Sequence, residues 1–151
     1  MWSGFAVDYA ILVFFGTLGA LQIVAAKNCL SGIMLLRTRR LLSILLGSGT
    51  IAAAFIWFFA SEFRNMPDTG AGLEANTQAA TFAIAGACAV AVTFAIASIV
   101  NHSWASLNAQ KFALDDVLEG GMDALRRTTF VLAMLARLRH WHFLLRTRRL
   151  K

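Results

Sequence analysis

Charge is scarce in this chain. Asp, Glu, Lys and Arg make up 15% of its 151 residues, against 58% hydrophobic residues. Mean hydropathy is +0.65. A soluble domain of ordinary composition is excluded. Only two cysteines are present, Cys29 and Cys88, too few for a disulfide framework, so free thiols are expected. The single proline, Pro67, falls in Met66-Pro67-Asp68-Thr69-Gly70, a turn signal with Pro suited to the second turn position. Met1 to Gly4 holds no Lys or Arg, so no positively charged signal-peptide start is expected. No Gly-rich phosphate loop, HExxH pattern or nucleophile elbow occurs, and no catalytic activity is predicted.

Long uncharged stretches take the place of these features. Ala79 to Val100 carries no charge. Its odd positions from Ala79 to Ala97 are all small, while Phe82, Ile84, Val90, Val92, Phe94 and Ile96 fall at even positions. Period two is a strand signature. A spanning strand needs only about 9–11 residues and closes a barrel with many others. This Ala-rich segment is longer and has no sister strands. As a helix it extends about 33 Å, enough to cross a bilayer core.

On a helix the small residues separate into two rows on nearly opposite sides. Ala79, Ala83, Ala87, Ala91 and Ala95 form one. Thr81, Ala85, Ala89, Thr93 and Ala97 form the other. Small residues at every fourth position let helix backbones approach closely in lipid. Two rows predict two close neighbours. Thr81 and Thr93 could also bond their own backbone carbonyls.

Two further spans precede it. Phe5 to Ala26 contains one charge, Asp8, placed favourably near the helix start, and one other strongly polar residue, Gln22. Leu41 to Ala60 is uncharged. Ser43 and the Gly47-Ser48-Gly49 cluster give it a close-approach patch, and Trp57, Phe58 and Phe59 crowd its far end as belt residues do. The spans hold no ionisable relay, so carrier chemistry is not indicated.

The connections set an orientation. Lys27, Arg37, Arg39 and Arg40 lie between spans one and two with no acid among them. This segment is expected either to prolong the first helix or to lie along the membrane surface. Glu62, Arg64, Asp68 and Glu74 lie between spans two and three. Lys and Arg favour the cytoplasmic side. The expectation is an N-terminus outside and a C-terminus inside a cell membrane, of the bacterial plasma-membrane type.

Residues 105–151 read as a basic amphipathic tail after a three-span domain over 1–104. Leu114, Val117, Leu118, Gly121, Met122 and Leu125 recur at helical spacing, with Asp115, Asp116 and Glu119 on the polar side. A second segment, Thr128 to Leu145, lines Val131, Met134, Leu135, Leu138, Trp141 and Leu145 along one side. Arg137 and Arg139 argue against a fourth span, since each costs about 2.5–3.5 kcal/mol at the bilayer centre. The segment is predicted to lie on the cytoplasmic face, held by anionic lipid or by a partner. Expected headgroup contacts are Arg37, Arg39, Arg40, Arg137, Arg139, Arg146, Arg148 and Arg149. The heptapeptide Leu-Leu-Arg-Thr-Arg-Arg-Leu occurs twice, at Leu35–Leu41 and Leu144–Leu150.

The predicted fold is an all-α integral membrane protein with three transmembrane helices and C-terminal interfacial helices. The predicted function is a non-catalytic subunit that anchors or stabilises a larger membrane complex. Ala79, Ala83, Ala87, Ala91, Ala95, Ala85, Ala89 and Gly47 would carry the helix packing. One alternative is a homo-oligomeric pore lined by Thr81, Thr93 or Ser43. Another is a small membrane enzyme or cofactor-binding subunit using Asp115, Asp116 and Glu119, or His102 as a haem or pigment ligand. One His without a partner specifies nothing, and no cofactor, metal or nucleic acid is predicted. The expected partners are the bilayer, its anionic lipids, and other membrane subunits or further copies of the chain.

Overall fold

A computed structural model describes residues 4–60, 75–103, 105 and 123–148, with the backbone alone described at 4 and 142–148. The described residues form helices and turns, with no strand among them. Among the described residues the helices are α1 (Gly4–Lys27), α2 (Arg40–Ala60), α3 (Ala75–Val100), α4 (Ala124–Arg127) and α5 (Phe130–Arg148). The first three are long and apolar enough to cross a membrane, with mean hydropathies of 2.0, 2.0 and 2.3. They match the three expected spans. α3 starts earlier than expected, because Ala75 and the polar Asn76, Thr77 and Gln78 form its first turn.

The buried residues of these helices are mostly small, and many of their large apolar residues are exposed. α2 buries Ser43, Gly47, Ala54 and Phe58 along one stripe. Its Leu41, Leu45, Ile56 and Phe59 are exposed. A helix folded in water would show the opposite arrangement, with a polar outer face. In a bilayer the outer face meets hydrocarbon, and small inner residues allow close backbone packing.

The chain divides into two compact units, with boundaries inside α1 after Val24 and inside α3 after Thr93. The first unit holds residues 1–24 and 41–93. There α1 and α2 form an antiparallel pair. Phe5 near the start of α1 meets Phe58 near the end of α2, edge to face, with ring centroids 6.0 Å apart. Further along the pair, Gly19 and Gly47 face each other. A Cβ added at Gly19 would lie 2.6 Å from the Gly47 carbonyl oxygen, so neither position admits a side chain without movement. α3 approaches α1 near Gly86, where an added Cβ would lie 4.0 Å from the Thr17 hydroxyl oxygen.

The second unit holds residues 25–40 and 94–151. Its opening segment does not prolong α1. The helix stops at Lys27, Cys29 adopts a left-handed φ of 59°, and the Leu30 amide donates to the Ala25 carbonyl at 2.9 Å. This is a Schellman stop, with Cys29 where Gly is usual. Ala25 and Leu30 are buried, supplying the apolar side of the motif. Residues 28–39 then turn back into the unit, burying Leu30, Ile33 and Met34.

Polar groups fasten this unit. The Asn101 side-chain amide donates to the Met34 carbonyl at 2.9 Å and to the Ala97 carbonyl at 3.0 Å. The Gly32 amide donates to the Leu125 carbonyl at 2.8 Å. The bonds to Met34 and Leu125 pair carbonyls of buried residues, whereas the Ala97 carbonyl also accepts from the Asn101 backbone amide.

Candidate interaction surfaces

The two small-residue rows of α3 have different surroundings. Thr81, Ala85, Ala89, Thr93 and Ala97 are buried, with Ala89 and Ala97 fully so. Ala79, Ala83, Ala87, Ala91 and Ala95 are all exposed. One row is therefore covered by the chain itself. The other is left open, flanked by exposed Phe82, Ile84 and Ile96. Sequence alone could not assign the two faces, because both rows are equally small and equally regular.

The hydroxyl groups on the covered row are occupied. Thr81 Oγ1 donates to the Thr77 carbonyl and Thr93 Oγ1 to the Ala89 carbonyl, both at 2.7 Å. These are bonds to the preceding helical turn. Both threonines are buried, so within the single chain neither lines an open path. Ser43 is fully buried and partnered, as is Gln22 on α1. Asp8 is half-buried and also partnered.

Among the basic residues, Arg39, Arg40, Arg137 and Arg139 are exposed and Arg37 is half-buried. The side chains of Arg146 and Arg148, and the whole of Arg149, lie outside the described residues, as do Asp115, Asp116 and Glu119. His102 is exposed just beyond the end of α3. Among the described residues, no three His, Cys, Asp or Glu side chains come together as a metal-binding group. Cys88 is exposed and Cys29 half-buried, and both are free thiols.

The tail departs from a purely surface-lying segment at its start. Phe130, the first residue of α5, stacks on Phe94 with centroids 4.5 Å apart and planes 11° apart. The Val131 amide, near the open N-terminus of α5, donates to Ser98 Oγ at 3.4 Å. A side chain from α3 thus supplies part of the cap. Thr128 and Thr129, between α4 and α5, are buried, and their hydroxyls have no partner among the described residues. Sequence reading missed this junction, although two threonines before an apolar run carry a helix-start signal.

Beyond the junction α5 presents an apolar face. Val131, Met134, Leu135, Leu138 and Trp141 are exposed, Trp141 at 67%. An open groove of about 520 Å³ runs along this helix, lined by Leu125, Phe130, Ala133, Met134, Leu138 and Trp141, together with Arg137.

No protein-family model matches the sequence, and neither a curated protein nor a solved structure matches it. The fold itself defines the class, a helical protein with three candidate membrane-spanning helices.

Proposed function

We propose that this chain is a non-catalytic integral membrane subunit that assembles with other membrane proteins and anchors or stabilises their complex. The observation that carries the reading is the exposed row Ala79, Ala83, Ala87, Ala91 and Ala95. A close-approach surface on a spanning helix gives its packing energy only when another helix lies against it. The covered row on the opposite side illustrates that use within the chain. The Thr-lined pore draws no support here, since both threonine hydroxyls are turned into the helix.

In this reading the N-terminus lies outside and the basic segment 27–40 inside, in a plasma membrane of the bacterial type, following the asymmetry of Lys and Arg. α5 rests at the cytoplasmic interface beyond its anchored start, with Arg137 and Arg139 near anionic headgroups. Gentle extraction and mass measurement test the central claim. A heteromeric particle is expected for the parent, and its loss on Ala87→Leu or Ala91→Leu. A parent that leaves the membrane as a lone chain refutes it.

A further inference from the structure

We propose that the start of α5 is a cap-exchange latch. Ser98 of α3 caps the helix when its start is docked, and Thr129 caps it when the start is released. The latch is independent of what the open row of α3 docks.

Thr129 holds the N-cap position. It precedes Phe130, the first residue of α5, and its carbonyl accepts from the Ala133 amide at 3.0 Å. A Thr placed there ordinarily accepts, through its hydroxyl oxygen, from the amide two or three residues on. Those residues are Val131 and Leu132, and Thr129 bonds neither. It is 1% exposed, and its hydroxyl has no partner among the described residues. The Val131 amide donates instead to Ser98 Oγ. The cap is supplied from α3 while the helix's own cap stays idle.

Forces of similar size oppose each other at this junction. Phe130 stacks on Phe94, and the Gly32 amide donates to the Leu125 carbonyl. Gly32 is needed for that approach, because an added Cβ would collide with the Thr128 carbonyl oxygen. These contacts hold the start of α5 down. Against them, the bond to Ser98 is 3.4 Å long, beyond the usual range of about 2.7–3.2 Å. The Thr128 hydroxyl is buried and unpartnered like that of Thr129. Each such hydroxyl carries a desolvation cost that release removes. One aromatic stack and one backbone bond are of the same order as two orphaned hydroxyls. Such a near balance keeps a minor state populated. On release Thr129 bonds its own helix, Thr128 meets water, and Phe94 and Ser98 are uncovered.

The test is amide hydrogen exchange on the full-length protein in bilayer nanodiscs. The Gly32 amide reads the latch, since it loses Leu125 when the junction opens. The Asn101 amide, bonded to the Ala97 carbonyl, is the reference. Thr129→Val removes the buried orphan and the released-state cap together, and should slow Gly32 exchange about tenfold. Thr128→Val should slow it by a similar factor. Thr129→Ser keeps the hydroxyl and should not slow it. Ser98→Ala removes the docked cap and should quicken it a few-fold. Asn101 exchange should stay constant in all four variants. Unchanged or faster exchange at Gly32 in Thr129→Val overturns the proposal, since the hydroxyl would then have a partner in the docked state. Slowing by Thr129→Ser, or no quickening by Ser98→Ala, overturns it as well. So does exchange at Asn101 that changes in step with Gly32, which would mean that the whole unit opens together.

Discussion

Gly19 and Gly47 meet backbone to backbone where α1 crosses α2. A Cβ on Gly47 would lie 2.5 Å from the Gly19 carbonyl oxygen and 2.8 Å from Cγ1 of Ile23. The relationship is reciprocal, so either substitution forces the helices apart. Gly19→Ala and Gly47→Ala are each expected to destabilise the chain by about 1–3 kcal/mol, the usual cost of overpacking. Gly16 and Gly49 have open space around an added Cβ. Their Ala variants should be neutral or stabilising by up to about 1 kcal/mol through helix propensity. Unfolding titrations in mixed micelles would rank the four. Equal behaviour of all four would show that the crossing is not tight.

Cys29 ends α1 in a conformation that disfavours side chains. A left-handed backbone costs a non-Gly residue about 1–2 kcal/mol. Glycine removes that strain but adds freedom to the unfolded chain. Cys29→Gly should therefore stabilise by roughly 0.5–1 kcal/mol net. Cys29→Val should destabilise, because a β-branched residue fits this region worst. The same unfolding titrations decide the sign.

Asn101 ties the connection between the first two helices to the end of α3 through the Met34 carbonyl. Asn101→Ala leaves a buried acceptor unpaired, at about 1–3 kcal/mol. Faster amide exchange is expected in residues 30–34, with the Gly19–Gly47 crossing unchanged. Exchange that quickens equally throughout would show one cooperative structure rather than a local fastening.

The topology has a direct readout. In intact cells, Thr69→Cys should react with a membrane-impermeant maleimide and Arg39→Cys should not, in a background of Cys29→Ala and Cys88→Ala. The reverse pattern would invert the orientation inferred from Lys and Arg.

Sequence revealed the three long helices because absence of charge over some twenty residues is a strong signal. It also marked Gly47 as a close-approach position. It did not show which glycine of α1 would face it, since that depends on the pairing of two helices. The two rows of α3 were legible and their different fates were not. Residues 28–39 resisted reading for another reason. Their apolar members fit a surface helix or a prolonged span equally well, and the stop at Cys29 uses a residue that rarely signals one. The repeated heptapeptide makes the point sharply. Residues 35–38 form bends and turns, whereas the identical residues 144–147 are helical. Tertiary surroundings decide between the two, not local propensity.

The central claim is that the open row of α3 docks another membrane protein. The most direct test compares native masses of gently extracted parent, Ala87→Leu and Ala89→Leu. The account predicts a heteromeric mass for the parent. It predicts a lone, folded chain for Ala87→Leu, whose site is exposed, and a destabilised chain for Ala89→Leu, whose site is fully buried. A monomeric parent, or an Ala87→Leu variant that assembles like the parent, would contradict it.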